Sequence, residues 1–172
     1  ERQMDPSGTT FQTTTYTYTT LDQLKTITDN QANVTTFEYD ANGNRIKITD
    51  AELKETNYLY DERDLLYTVT DAKMQVTTYS YDANGNLEIS KDANTNTTTY
   101  QYDEFDRSKK TIYPDASEES YTYDQAGNLK TKTDPKSQAT QYDYDELNRL
   151  KLKTYQGCAV SVCGGNVSYQ YD

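Results

Sequence analysis

Apolar and polar positions along this chain alternate in short runs and do not recur at helical spacing. In Thr36–Tyr39, Phe37 and Tyr39 share one face of an extended segment, with Thr36 and Glu38 on the other. The pattern keeps time. Tyr18, Tyr39, Tyr60, Tyr81, Tyr102, Tyr123 and Tyr144 stand 21 residues apart. An aromatic precedes each by two positions: Tyr16, Phe37, Tyr58, Tyr79, Tyr100, Tyr121 and Tyr142. Tyr169 and Tyr171 repeat the pair after 27 residues, so the last unit carries six extra. A fixed period of this length predicts a quasi-one-dimensional array in which each unit is stabilised by the next.

Within each unit the sequence predicts two strands joined by a turn. Four residues after each repeat tyrosine stand Asp22, Gly43, Asp64, Gly85, Asp106, Gly127 and Asn148, the residue types that tolerate positive φ. This marks a hairpin turn of the primed or bulged kind, plainest at Asn42-Gly43 and Asn84-Gly85. A second strand with Leu24, Ile46 and Ile48, Leu66, Leu87 and Ile89, Leu129, or Leu150 and Leu152 follows, ending at Asp29, Asp50, Asp71, Asp92 or Asp134, where another turn begins. The predicted fold is therefore all-β: a tandem array of 21-residue hairpins forming a continuous antiparallel sheet of about fourteen strands. A lone hairpin is marginal in water, so the tyrosine rows are expected to hold neighbours together, at about 0.2–1 kcal/mol per cross-strand pair.

A slower rhythm lies beneath. Turns of the "DANGN" kind alternate with "DERDL", "DEFDR" and "DELNR", giving a 42-residue super-repeat. Neighbouring hairpins are thus expected to have inequivalent surroundings, with their turns on opposite sides of a closed or flattened winding.

Composition sharpens the picture. Leu, Ile, Val and Phe make up 25 of 172 residues and the formal net charge is -11, a pairing that on its own points to disorder. The 18 tyrosines and their periodicity argue the other way. The acidic balance and the lack of a Lys/Arg cluster argue against a nucleic-acid partner. There is no apolar run of membrane-spanning length and no signal peptide. Histidine is absent, which removes Ser-His-Asp and Cys-His catalysis. Nearly every Asp sits at a repeated position, as a structural role demands, so neither catalysis nor a cofactor is expected.

Two constellations remain. Asp40, Asn42 and Asn44, and likewise Asp82, Asn84 and Asn86, place oxygens at alternate positions like the start of a calcium loop. Glycine falls at position 4 instead of 6, position 12 is alanine, and Asp and Asn also suit a hairpin turn for its own sake. Cys158 and Cys163 both lie in the six-residue insertion, spaced for a local disulfide in a secreted protein or two free thiols in a reducing compartment.

The Y-D-x-x-G-x-L pattern, from Tyr16 to Asp172, resembles the YD (Rhs) repeat family. Its members include bacterial Rhs and wall-associated toxins, toxin-complex components and teneurins. The resemblance implies a spirally wound sheet forming a hollow shell, and a secreted or cell-surface location. It assigns structural roles to Tyr39, Tyr60, Tyr81, Tyr102, Tyr123, Tyr144, Gly43, Gly85 and Gly127. Residues 1–15 read as a flank or partial repeat, 16–157 as the array, and 158–172 as the cysteine-bearing insertion and the start of a further repeat. The chain starts at Glu1 without an initiator Met and stops where a repeat begins, so a piece of a longer protein is expected. The implied function is wall around a toxin or other cargo, with flanking repeats as partners. The other reading is an adhesion or filament module that binds glycans, cells or its own copies through open strand edges.

Overall fold

The computed structural model describes residues 2–4, 11–156 and 165–172. Two compact units divide it: Glu1–Tyr79 with Asp92–Asn94, and Ser80–Lys91 with Thr95–Asp172. In the first unit β1 (Arg2–Met4) pairs with β2 (Phe11–Thr13), followed by β3 (Thr15–Tyr18), β4 (Leu24–Thr28), β5 (Val34–Tyr39), β6 (Arg45–Thr49), β7 (Glu55–Tyr60) and β8 (Leu66–Thr70). The division falls within β9 (Val76–Tyr81). The second unit continues with β10 (Leu87–Lys91), β11 (Thr97–Tyr102), β12 (Ser108–Ile112), β13 (Glu118–Tyr123), β14 (Leu129–Thr133), β15 (Ala139–Tyr144), β16 (Leu150–Gln156) and β17 (Val167–Ser168). Strands β3 to β17 follow one another in sequence order through a fifteen-stranded open antiparallel sheet.

Both faces of each strand are read from the register. Tyr16, Phe37 and Tyr58 sit opposite Ile27, Ile48 and Val69, so rings and aliphatic groups share one face of the first unit. Thr17, Glu38 and Leu59 sit opposite Thr26, Lys47 and Thr68 on the other. In the second unit the rings of Tyr100, Tyr121 and Tyr142 face Thr111, Lys132 and Lys153 instead. Among the described residues no hydrophobic side chain is fully buried, and Thr68, at 9% exposure, is the one buried residue. Stability therefore comes from strand pairing and inter-repeat contacts, not from a core.

The turns are of the bulged kind, not the primed kind. Asp40 N–H donates to Asn44 O at 2.9 Å, and Gly43 N–H to Asp40 O at 3.2 Å. Gly43 alone in that turn is left-handed, with φ 94°. Glu38 then pairs with Lys47 but Tyr39 with Arg45, leaving Ile46 as the extra residue. Asp22, Asp64, Asp106 and Asn148 hold φ of 58–60° at the same place in their turns.

The opposite strand ends, where the sequence places a further turn at Asp29, Asp50, Asp71, Asp92 and Asp134, use the same hydrogen-bonded turn. There the left-handed residues are Ala32, Leu53, Met74, Thr95, Ala116 and Ser137. No glycine marks them; an aspartate caps these turns as it does the others, Asp50 Oδ1 accepting the N–H groups of Glu52 and Lys54, both at 2.9 Å, except before Ala116, where the turn begins at Tyr113. Thr95, β-branched at φ 68°, carries the clearest strain. Thr95→Gly is expected to raise stability by about 0.5–1 kcal/mol, read from urea denaturation.

The super-repeat takes a different form from the one expected. Successive hairpin turns lie along the same edge within each unit, as an antiparallel meander requires. What alternates is the set of contacts they make.

Candidate functional site

The repeated residues converge on the seam between one hairpin and the next. β4 and β5 pair only as far as Thr26 and Thr36, because the bulge turns the strand ends apart. Tyr39 closes the gap: its hydroxyl donates to the Leu24 carbonyl, fifteen residues back, at 2.9 Å. Tyr60 does the same to Arg45, Tyr102 to Leu87, Tyr123 to Ser108 and Tyr144 to Leu129, all at 2.9–3.0 Å. Tyr171 reaches the Leu150 carbonyl at 2.8 Å, so the six-residue insertion leaves the rule intact. Burial raises the phenol pKa of Tyr102, with the Asp82 charge adding to it, and keeps the hydroxyl a donor. These hydroxyl-to-backbone bonds are one set of contacts by which the tyrosines tie neighbouring hairpins together. Tyr102→Phe is expected to cost about 1 kcal/mol, whereas Tyr18→Phe, whose hydroxyl has no partner among the described residues, leaves the denaturation midpoint unchanged.

Asp40, Asp61, Asp82, Asp103, Asp124 and Asp145, each following a repeat tyrosine, serve their own turns, and Thr19 Oγ1 does so after Tyr18. Asp82 Oδ1 accepts the Asn84 and Asn86 N–H groups, each at 2.9 Å, and Oδ2 accepts Asn86 Nδ2 at 3.1 Å. The Asn86 side chain and backbone donors hold this carboxylate below its ordinary range. The tyrosine thus fastens a hairpin to its predecessor, and the aspartate closes it.

Alternation follows from what each turn offers its successor. Asn42 and Asn44 Nδ2 both donate to Asp64 Oδ1, at 2.8 and 2.6 Å. Asn84 and Asn86 do the same to Asp106, at 2.8 and 2.6 Å. Asn128 Nδ2 donates to Asn148 Oδ1 at 2.9 Å. Glycine-type turns therefore hand amide donors forward to an acceptor on a left-handed residue. The other type hands forward a long side chain. Gln23 Nε2 donates to Gly43 O at 3.4 Å, and Arg107 lies 4.3 Å over the Tyr123 ring. A Cβ on Gly43 would stand 3.2 Å from Gln23 Nε2, which with its φ explains why this turn keeps glycine.

The second unit adds a polar knot on its ring-bearing face. Tyr121 Oη donates to Glu119 Oε2 at 2.6 Å, and Lys132 Nζ lies 3.1 Å from Glu119 Oε1. The Tyr121 hydroxyl, then Lys132 and Tyr113, lower the Glu119 pKa against the opposing effect of burial.

The oxygens weighed for calcium are placed in this hydrogen-bond pattern: Asp40 and Asp82 accept N–H donors, while Asn42, Asn44, Asn84 and Asn86 point amide nitrogens at the next turn. Among the described residues no three His, Cys, Asp or Glu side chains gather as a metal site. Millimolar calcium is expected to leave the melting temperature unmoved in a thermal titration. Cys158 and Cys163 lie outside the described residues.

The RHS Repeat family model matches residues 18–52, 60–91 and 120–156, more than half of the chain. The chain belongs to the RHS repeat family. Among curated proteins nothing matches. Among solved structures, a crystal structure of TcdB2-TccC3 without its hypervariable C-terminal region aligns over 92% of this RHS chain and 10% of that one, at 19% identity and TM-score 0.74. TcdB2-TccC3-Cdc42 aligns over 86% and 9%, at 19% identity and TM-score 0.72. A Photorhabdus luminescens Tc holotoxin pore aligns over 84% and 9%, at 20% identity and TM-score 0.70. These likenesses establish the fold. The RHS chain spans about a tenth of the length of the chains it matches. Among its described residues no helix is long and apolar enough to cross a membrane.

Proposed function

We propose that this chain is a non-catalytic wall segment of a larger secreted or cell-surface RHS-repeat protein, in which the sheet encloses a toxin or other cargo. The supporting observation is the seam. The repeat tyrosines and turn aspartates serve hairpin-to-hairpin and turn contacts, as a wall requires. The matched TcdB2-TccC3 structures add support, since one of them is described as lacking a hypervariable C-terminal region. Flanking repeats of the same protein are the partners of this wall, and the cargo lies behind it.

Limited proteolysis of the full-length protein tests this reading. Cargo behind a wall resists protease while the sheet is folded and becomes susceptible once Tyr→Phe substitutions at several seams open it. Cargo digested equally fast in both proteins would exclude enclosure.

A further inference from the structure

Asparagine followed by glycine occurs twice in the chain, at Asn42-Gly43 and Asn84-Gly85, and both pairs sit in glycine-type turns. Asn42 and Asn84 are exposed, and each hands its side-chain amide to the next turn. Asn42 Nδ2 donates to Asp64 Oδ1 and Asn84 Nδ2 to Asp106 Oδ1, both at 2.8 Å. Glycine has no Cβ to shield its backbone nitrogen and turns freely about φ, so these two amides are the ones that the next backbone nitrogen reaches most readily. We infer that Asn42 and Asn84 are sites of spontaneous deamidation, gated by the seam bonds to Asp64 and Asp106, and that the carboxylate formed there parts the seam that restrained it.

The chemistry needs only water. The Gly85 backbone nitrogen attacks Cγ of Asn84, the Cγ–Nδ2 bond breaks, and Nδ2 leaves as ammonia with the proton that the Gly85 nitrogen gives up. Water then opens the cyclic imide. Opening at one carbonyl gives aspartate at position 84, and opening at the other gives isoaspartate, which carries an extra carbon in the backbone. Two bonds restrain the first step: Gly85 N–H donates to Asp82 O at 3.2 Å, and Asp106 holds Nδ2. Turning Cγ onto the Gly85 nitrogen draws Nδ2 away from Asp106, so an intact seam slows the reaction and an opened one admits it. The product does not revert. Its carboxylate faces that of Asp106 where an amide had donated, and the two repel. Isoaspartate also lengthens the turn that Asp82 N–H closes on Asn86 O at 2.9 Å. Loosening therefore accumulates with age at two seams, one in each unit. The third glycine-type turn supplies the contrast: Ala126 precedes Gly127, and the amide that reaches Asn148 Oδ1 at 2.9 Å belongs to Asn128, which Leu129 follows.

The test ages the purified chain in mildly alkaline buffer well below its melting temperature. Peptide mass spectrometry maps the exchange of amide for carboxyl, and enzymatic methylation identifies isoaspartate. Asn42 and Asn84 are expected to convert, faster in urea than in the folded chain, while Asn86 and Asn128 persist. Asp106→Gly removes the acceptor and accommodates φ 58°. It should speed conversion at Asn84 about fivefold, the factor that a hydrogen bond of about 1 kcal/mol represents, and leave Asn42 unchanged. Asn84→Ala copies the turn at Ala126 and should age at Asn42 alone. In the converted fraction, separated by its added charge, amide exchange should quicken at Asn86 and Asp106 and stay the same at Asn128 and Asn148. A folded chain that keeps both asparagines after the urea-treated chain has converted would overturn the sites. An Asn84 rate unmoved by Asp106→Gly would overturn the gating, and conversion without faster exchange would overturn the loosening. No readout involves cargo, so failure here is separate from failure of enclosure.

Discussion

Acidification is expected to unzip the array. Asp29, Asp82, Asp103 and Asp124 have lowered pKa values, led by side-chain donors from Asn33, Asn86, Arg107 and Asn128. Asp61 and Asp145 are lowered chiefly by the backbone N–H groups of Leu65 and Arg149. At Asp40 burial pulls upward and is the largest single influence, but the donors of Asn44 and its neighbours together outweigh it. A carboxylate with a depressed folded-state pKa contributes stability above its unfolded value of about 3.9, and that contribution is lost as pH falls toward the folded value. Two effects compete on the way down. The net charge of -11 shrinks toward the isoelectric point near 4.4, which relieves self-repulsion. Below about pH 4 the turn carboxylates lose their charge one after another, and loss of stability wins. Circular dichroism melts across the pH range should therefore show a melting temperature that holds or rises from pH 7 to about 4.5 and then falls steeply. Equal melting temperatures at pH 7 and pH 2.5 would remove these aspartates from the account.

The strand pattern was legible because it rests on periodicity: a 21-residue interval between tyrosines and alternation within Thr36–Tyr39 are both written in the chain. The left-handed positions at Asp22, Gly43 and Asp64 were legible because only a few residue types tolerate that conformation. Their counterparts at Leu53, Met74 and Thr95 were not, because the turn aspartate and the paired strands impose the conformation on residues that do not favour it. The role of the tyrosine hydroxyl was hidden for a related reason. Spacing showed that Tyr39 shares a face with Phe37, but the open carbonyl of Leu24 exists only once a bulge has parted two strands. The 42-residue rhythm was visible while its meaning was not. Asp64 passed for a residue that merely tolerates positive φ, when its carboxylate is also the acceptor for two amides of the turn before it.

That acceptor role makes Asn84→Asp with Asn86→Asp the substitution expected to harm the array most for the least change in shape. The two amides that reach Asp106 Oδ1 at 2.8 and 2.6 Å become carboxylates facing a carboxylate. Two unit charges about 3 Å apart in water repel by roughly 1.4 kcal/mol, and this edge is solvent-exposed, so about 1–2 kcal/mol for the pair is expected after screening. Salt separates charge from lost hydrogen bonding. At 1 M salt, where the screening length is about 3 Å, the repulsive part should largely vanish and the hydrogen-bond part should persist. A third change completes the argument. Asp106→Asn in the same background restores a donor opposite an acceptor with the roles exchanged, and the chain already tolerates asparagine at the equivalent place, where Asn148 accepts from Asn128 at 2.9 Å. The triple variant should recover in urea denaturation the part of the loss that arises at Asp106, giving a coupling energy that the separate substitutions cannot produce, while the part from the lost Asn86 Nδ2 bond to Asp82 Oδ2 persists. Additive losses would mean that the turns do not communicate through these side chains, and that the 42-residue alternation answers to something other than this seam.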